Sequence, residues 1–285
     1  MNALQLGIAL APVDAPQVLR IARRADAADL DLLGLSDHPY APGYLDTPTL
    51  LTWIAAATDR LRVYPGVTSL PLRPPAVLAK AVATLDRLSG GRVELGLGAG
   101  GSWDGIAGLG GPRRTPGEAV AALTEAIGVL RALWTGDGPI DLPGTHHPLH
   151  AAAPGPAPTR PVPIWLGALG PRMLDLTGRL ADGWLVSVPH TPPAALAGGH
   201  ARIDAAAAAA GRDPAAVRRG YNVPDDLTDP AGLVERLLAF HAEHRMDTLV
   251  LSPVGDPLRA AEVFLAEVVP VVQATQRRVP SDGGR

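Results

Sequence analysis

The sequence predicts an α/β protein, a (β/α)8 TIM barrel built as a single domain. Short apolar and β-branched segments alternate with longer segments of helical pattern, and eight such pairs follow one another. The strand segments are apolar throughout, as parallel strands covered on both faces require. The 285 residues also fit the ~250 that this barrel typically needs. Because a doubly wound sheet alternates in the same way, it is the count of eight that favours the barrel.

The predicted elements are separated by capping residues, prolines and glycines. In chain order, the eight strands cover residues 6–11, 32–36, 61–67, 92–98, 162–168, 183–188, 218–223 and 248–252. A capping residue or a proline in the first turn marks the start of a helix, and such starts occur at Asp14, Asp46, Pro74, Thr115, Pro171, Asp229 and Asp256. The alanine run 205–210 predicts a further helix.

Two segments lie outside this alternating pattern. Residues 136–161 are rich in proline, glycine and histidine, and they separate the fourth predicted helix from the fifth strand. This segment is too long for an ordinary loop, so we expect an irregular insertion that contains a hairpin. Residues 276–285 are expected to form a flexible tail. No linker divides the chain, which predicts one domain over residues 1–285.

Composition excludes several classes of function. A net charge of −3 does not suit a nucleic-acid-binding protein or a basic protein that binds membrane surfaces. The sequence contains no cysteine, which excludes disulfides, thiolate metal sites and cysteine nucleophiles. No apolar stretch approaches the ~20 residues that span a bilayer. We therefore expect a soluble, cytoplasmic protein that acts on a small molecule, with a homodimer left open as its assembly.

A glycine-rich segment follows the fourth predicted strand. Residues 96–101 have the sequence Gly-Leu-Gly-Ala-Gly-Gly, which fits the G-x-G-x-x-G pattern of dinucleotide-binding proteins. That fingerprint also requires a helix that opens on its last glycine. Because no helix is predicted before Thr115, a Rossmann site is disfavoured. We expect instead a turn that lets a flat ligand approach the strand end, with Trp103 facing the ligand and a plain loop as the alternative.

Two more motifs follow predicted strands, at the barrel end where active sites are built. Asp37 and His38 follow the second strand, and histidine titrates near neutral pH, which suits proton transfer. A solvated turn is the alternative interpretation. Residues 167–170 precede the helix that opens at Pro171, where free backbone N–H groups favour a phosphate. Arg172 is placed to contact the same anion, although an ordinary tight turn explains this segment equally well.

The insertion contains a histidine cluster that is a candidate metal site. His146, His147 and His150 lie close together in the sequence, but no carboxylate stands near them at the spacing of a metal ligand. A solvated loop is therefore favoured over a zinc site, and no metal is predicted.

Five segments together resemble a known family. They are GLSDHP at 34–39, PLRPPAVLAK at 71–80, LSGGRVELGLGAG at 88–100, PIWLG at 163–167 and ADGW at 181–184. In this order they resemble the bacterial luciferase-like superfamily of flavin- and deazaflavin-dependent oxidoreductases. The resemblance extends from Leu6 to about Ala274 and depends on the order of the segments. It implies a (β/α)8 barrel with the cofactor over the C-terminal ends of the strands.

The resemblance implies roles for residues near the redox-active part of the cofactor. A non-proline cis peptide is expected at Gly66–Val67, with Val67 against the central ring. Asp37 and His38 match the pair that deazaflavin-using members place near the redox-active carbon. His38 would then be the acid–base group, and Asp37 would position it.

The resemblance also implies how the rest of the cofactor is held. Its ring or side chain would be bordered by Gly98, Ala99 and Gly100. Its phosphate would be held by Gly167, Ala168, Leu169 and Gly170, with Arg172 beside them. Several relatives carry a glutamate as proton donor directly after the Gly-x-Gly turn. This chain has Gly101 there, and Asp104 is the nearest acid.

These features together imply a coenzyme F420-dependent oxidoreductase. The expected reaction transfers a hydride between the deazaflavin and an activated C=C or C=N bond of a small organic substrate. A reductive tailoring step in natural-product biosynthesis fits so short a member. Arg, Ala, Gly and Pro, which are encoded by GC-rich codons, are abundant in the sequence, and such a composition resembles that of actinobacterial members. The first alternative is a monooxygenase that uses FMN and oxygen. The second is a flavin-binding protein without enzymatic activity.

Overall fold

All eight predicted barrel strands form. The structure is a computed structural model that describes residues 3–278. Its strands are β1 (Gln5–Leu10), β2 (Leu32–Leu35), β3 (Arg62–Pro65), β4 (Thr68–Ser69), β5 (Leu95–Gly98), β6 (Ile140–Leu142), β7 (Leu149–Ala152), β8 (Ile164–Leu166), β9 (Gly183–Ser187), β10 (Arg218–Asp225) and β11 (Thr248–Pro253).

Nine of these strands form one parallel sheet, which curls into a barrel. Their order is β3-β2-β1-β11-β10-β9-β8-β5-β4. Strands β3 and β4 are two halves of the third barrel strand, because β3 pairs with β2 while β4 pairs with β5. The barrel closes where Val63 forms a parallel bridge with Val93. This topology confirms the predicted (β/α)8 barrel.

The helices cover the outside of the sheet. They are α1 (Ala15–Ala27), α2 (Thr47–Ala56), α3 (Pro75–Ser89), α4 (Trp103–Gly108), α5 (Pro116–Thr135), α6 (Pro171–Leu180), α7 (Pro193–Ala209), α8 (Pro230–Ala242), α9 (Pro257–Val263) and α10 (Val269–Arg278). The predicted aspartate caps form, and Thr115 and Glu118 make the full capping box. Within residues 3–278, no helix has the length and hydropathy needed to cross a bilayer.

Helix α4 is a correction to the sequence interpretation. It begins at Trp103, two residues after Gly101, where no helix was expected. The absence of a predicted helix disfavours a dinucleotide-binding fingerprint, and that premise is wrong, because α4 follows the glycine segment. The closed barrel excludes the Rossmann arrangement instead, because that arrangement is an open sheet whose strand order reverses.

The insertion at 136–161 contains the expected hairpin, because β6 and β7 pair antiparallel. The end of the insertion is tied to α3 through the buried carboxylate of Asp86. This group accepts hydrogen bonds from the backbone N–H and the hydroxyl of Thr159 at 2.7 and 2.6 Å. Of the segment expected to be a flexible tail, residues 276–278 belong to α10. The remaining positions, 279–285, lie outside the described residues.

The family segment at 88–100 contains Arg92, and the contacts of this side chain give the segment a structural role. The guanidinium of Arg92 donates to the carbonyls of Ser89, Leu61, Ala55 and Thr58 at 2.8, 2.9, 2.7 and 2.9 Å. It also donates to the Thr58 hydroxyl at 3.1 Å. These acceptors belong to the ends of α2 and α3 and to the segment before β3. Arg92 therefore joins the ends of α2 and α3 to the segment that precedes β3.

We expect Arg92→Met to lower the free energy of unfolding by about 2–4 kcal/mol, because methionine leaves several partly buried carbonyls without a donor. Arg87→Met is the matched control, since Arg87 is exposed near the end of α3 and its side chain donates one bond, of 3.3 Å, to Ala157. Urea unfolding followed by tryptophan fluorescence measures both variants. Equal stability of the two proteins would contradict the role assigned to Arg92.

Candidate functional site

A cavity of about 350 Å³ opens at the C-terminal ends of β2, β4, β5 and β8. This volume falls within the ~300–1,000 Å³ typical of small-molecule sites. Nine of the residues singled out from the sequence line it: Asp37, His38, Val67, Gly98, Ala99, Gly100, Gly167, Leu169 and Gly170. Segments that are far apart in the sequence therefore meet at one end of the barrel, where TIM-barrel enzymes build their sites.

A larger cavity of about 660 Å³ opens at the opposite end of the barrel. Its charged side chains already bind one another or the backbone. Arg62 pairs with Glu94, Arg60 lies 3.1 Å from Asp29, and Arg92 is held by backbone carbonyls. Because these charges are compensated and the N-terminal end of the barrel serves stability, the smaller cavity is the candidate site.

Val67 forms the floor between two of the strand ends. The peptide bond before it, Gly66–Val67, is cis, as the resemblance predicted. Glycines leave room for its side chain, since a Cβ built on Gly98 would lie 2.8 Å from Val67 Cγ2 and one on Gly167 would lie 3.3 Å from it. A side chain at Gly98 would therefore displace Val67, so the glycine there is a steric requirement.

Asp37 is buried, with 2% of its side chain exposed, and its carboxylate is fully engaged. Arg73 grips both oxygens at 2.8 and 2.7 Å, and the Ser69 backbone N–H donates at 3.0 Å. Arg73 also donates to Asp46, the cap of α2, at 2.9 Å. Partial burial opposes the charge of Arg73, but the bonds to both carboxylates outweigh it and raise the pKa of the guanidinium. The guanidinium of Arg73 therefore stays charged.

His38 is held differently from the sequence expectation. Its imidazole lies between the rings of Tyr40 and Tyr44, with centroids 5.6 and 5.7 Å away. Among residues 3–278, none hydrogen-bonds the imidazole, and the carboxylate of Asp37 is taken by Arg73. The role of positioning His38, expected for Asp37, is filled here by two aromatic rings, and the imidazole is exposed to solvent.

The segment 167–170 presents free backbone donors. Within the described part of the chain, no hydrogen bond occupies the amides of Leu169, Gly170 or Arg172, while the Gly167 amide donates to Leu97 in the barrel. Gly170 caps α6 without a side chain, and the indole of Trp184 supports the loop by donating to the Ala168 carbonyl at 2.8 Å. This amide cradle, formed by Leu169, Gly170 and Arg172, suits a phosphate.

Four predicted site residues do not line the cavity: Gly66, Trp103, Ala168 and Arg172. The Trp103 ring packs against Gly100, whose φ of +104° requires glycine; a Cβ there would lie 2.9 Å from Trp103 Cη2. The Arg172 guanidinium lies toward the start of α5, at 3.5 Å from a Cβ built on Gly117. Trp103 packs against the glycine turn and the Arg172 guanidinium lies near α5, so neither side chain lines the cavity.

Neither the nearest acid nor the histidine cluster supplies a group to the cavity. Asp104 is 95% exposed and pairs with Arg113. The backbone amides of His146 and His147 are held by Glu125 at 2.7 and 2.8 Å. Within residues 3–278, no group of three His, Asp or Glu side chains is arranged to hold a metal.

Sequence reasoning missed several residues of the site. Besides Arg73, they are Tyr40, Thr68, Ser69, Gly101 and Met173. Arg73 lies inside the PLRPP segment that carries the resemblance. This motif was therefore a signal in the sequence for the partner of Asp37. Tyr40 had no such signal, because its place depends on how the loop after β2 folds against α4.

Comparisons with known proteins find related sequences and folds. Residues 4–248 match the model of the luciferase-like monooxygenase family. The F420-dependent glucose-6-phosphate dehydrogenase of Kineococcus radiotolerans is 30% identical over 274 residues, covering 91% of this chain and 78% of that protein. The same enzyme from Beutenbergia cavernae is 36% identical over 167 residues, or 56% and 49% of the two chains. This chain thus spans about half the length of the first curated relatives it matches.

Solved structures share the fold at low identity. An F420-dependent secondary alcohol dehydrogenase, in complex with an F420–acetone adduct, has a TM-score of 0.85 at 19% identity, over 95% of this chain and 99% of that one. Monooxygenase RslO1 from Streptomyces bottropensis has a TM-score of 0.81 at 19% identity, over 94% and 99%. These two matches concern the fold alone, whereas the family model covers most of the sequence. The chain belongs to the luciferase-like monooxygenase family.

Proposed function

We propose that this protein is a coenzyme F420-dependent oxidoreductase that transfers a hydride between the deazaflavin and a small organic substrate. The observation that carries the proposal is that His38, the Val67 floor and two residues of the amide cradle, Leu169 and Gly170, line one cavity. The F420-dependent relative that aligns with 91% of the chain supports the choice of cofactor. The protein's task is to bind and orient the cofactor and to supply a proton.

The residues present fit such a cofactor. A flat ring needs an apolar floor, and Val67 provides one between the glycines of β5 and β8. A phosphate needs donors, and the amides of Leu169, Gly170 and Arg172 are free at the start of α6. A Cβ built on Gly170 would meet no atom within 4 Å, so the space above this cap is open.

When bound, the deazaflavin supplies hydride chemistry and does not activate oxygen. Val67 and the strand-end glycines would hold its ring, and the amide cradle would fix its phosphate. His38, exposed at the cavity mouth, would exchange the proton that accompanies hydride transfer. Asp37 would act indirectly, by keeping Ser69 and Arg73 in place beside the ring.

The substrate bond is the finer part of the proposal. An activated C=C or C=N bond follows from the sequence resemblance. The names of the F420-dependent relatives, which act on glucose 6-phosphate or a secondary alcohol, favour a C–OH or C=O carbon as a second candidate. Steady-state assays with reduced F420 and a panel of enones, imines and ketones distinguish the two candidates. The class of bond that the enzyme reduces should have the higher kcat/KM.

The proposed function predicts which cofactor the protein prefers. F420 should bind more tightly than FMN when each is titrated into the purified protein by isothermal titration calorimetry. The reason is the Asp37–His38 pair, which resembles the pair of deazaflavin-using members. FMN bound at least tenfold more tightly would overturn the proposal and favour a monooxygenase. Tight F420 binding without turnover on the whole panel would favour a non-enzymatic binding protein.

The amide cradle is tested by Gly170→Asp. A carboxylate at this position would cap α6 and occupy the N–H groups that the phosphate needs, so F420 affinity should fall at least tenfold. The thermal midpoint without cofactor should stay unchanged or rise slightly, because aspartate is a good N-cap and the space is open. Gly170→Ala is the matched control and should bind F420 normally. Unchanged affinity in a folded Gly170→Asp protein would place the phosphate elsewhere.

His38 should matter more for turnover than for binding. General acid–base catalysis typically contributes 10²–10⁴-fold, so His38→Ala should lower kcat by about that factor while the F420 affinity changes little. His38→Gln keeps a hydrogen-bonding side chain but cannot donate a proton at neutral pH, and it should be nearly as slow. Steady-state kinetics with the best panel substrate measures both variants. A fast glutamine variant would rule out the acid–base role.

A further inference from the structure

The carboxylates expected to serve the substrate are not available to it. The position directly after the Gly-x-Gly turn is Gly101, where a Cβ would meet no atom within 4 Å. Asp104 faces solvent and pairs with Arg113. Asp37 lines the cavity, but its oxygens are held by Arg73 and the Ser69 amide. A substrate must therefore find its polar partners among other side chains.

Tyr40 has the position that such a partner needs. It lines the cavity beside His38, with ring centroids 5.6 Å apart and planes tilted by 34°. Helix α4 packs on the base of the ring, because a Cβ built on Gly105 would lie 2.7 Å from Tyr40 Cγ. The ring is therefore fixed from two sides, and no group within residues 3–278 hydrogen-bonds its phenol.

The surroundings of Tyr40 keep its proton in place. Partial burial, and then the nearby Asp37 and Tyr44, raise the pKa of the phenol above its usual value. At neutral pH the group is therefore a neutral O–H that can donate a hydrogen bond. Donors of this kind, preset beside a reacting atom, stabilise negative charge as it develops.

We propose that Tyr40 is a substrate-binding residue whose phenol O–H donates a hydrogen bond to the substrate atom that becomes negative during the reaction. This inference rests on the proposed function, in which reduced deazaflavin is the hydride source. As the hydride adds to one carbon, the π electrons of the double bond move to the neighbouring heteroatom, or through conjugation to a carbonyl oxygen. Tyr40 stabilises that charge, and His38 donates the proton that neutralises it. In the reverse direction His38 takes the proton back.

The kinetic test compares two tyrosines that contact the same histidine. Tyr44 also lies against His38, at 5.7 Å and 35°, but it does not line the cavity. Tyr40→Phe keeps the ring contacts and removes only the hydroxyl. It should lower kcat/KM for the best panel substrate at least tenfold, as loss of a charge-stabilising donor does. Tyr44→Phe, the matched control, should stay within twofold of the wild type, and both variants should bind F420 normally.

A spectroscopic test does not depend on turnover. The chain has only four tyrosines, so 3-fluorotyrosine labelling gives four ¹⁹F resonances, and the two phenylalanine variants assign those of Tyr40 and Tyr44. Acetone is then added to protein loaded with oxidised F420, which cannot reduce it. The Tyr40 resonance should shift on addition of acetone, and that of Tyr44 should not. The buried Tyr64 and Tyr221 serve as internal references.

Both results are required. Normal turnover of Tyr40→Phe, or a Tyr40 resonance that does not respond to acetone, overturns the assignment of Tyr40 and leaves the proposed function intact. Equal losses in the two phenylalanine variants overturn it as well, because the shared effect would then come from the ring contacts with His38. Failure of the wild-type protein to bind F420 overturns the proposed function, and the role of Tyr40 with it.

Discussion

The arrangement of the site depends on the space that glycine leaves around Val67. A Cβ on Gly98 would meet Val67 at 2.8 Å, and one on Gly96 would overlap the Pro65 carbonyl, so the third and fourth barrel strands approach each other only because these side chains are absent. Gly167 leaves similar room on the next strand. The floor of the cavity and the loops that rise from its strand ends are therefore positioned together. A change in one glycine would move both.

A second constraint fixes the loop that carries His38. Arg73 joins Asp37, at the end of β2, to Asp46, the cap of α2, and the Ser69 amide completes the cluster. A planar guanidinium that binds a buried carboxylate with two parallel bonds holds its geometry better than a single flexible contact would. Arg73 and Arg92 both use their charge to join elements of the barrel. Near the cavity, Arg73 therefore stabilises the fold.

The sequence predicts the barrel and the ends of most elements, because hydrophobic pattern and capping are local properties. Asp14, Asp46 and Thr115 each cap the helix that they were expected to cap. The strand-end glycines also follow from local pattern together with the order of the family segments. Contacts between segments that are far apart in the sequence were missed: the pairing of Asp37 with Arg73, although Arg73 lies in a family segment, and the packing of Tyr40 on α4. Helix α4 itself was missed because six residues rich in glycine have low intrinsic helix propensity.

The division of the cavity into two ends has a consequence for cofactor choice. In the proposed function, the amide cradle would recognise a phosphate by N–H groups and the dipole of α6, because no lysine or arginine side chain is among the residues that line the cavity. Both F420 and FMN carry a phosphate, so this end would bind either one with little discrimination. The choice between them would then be made where the rings differ, beside Val67, His38 and Tyr40. Substitutions in the loop after β2, which carries His38 and Tyr40, would then alter the preference for cofactor or substrate without changing the barrel or the cradle.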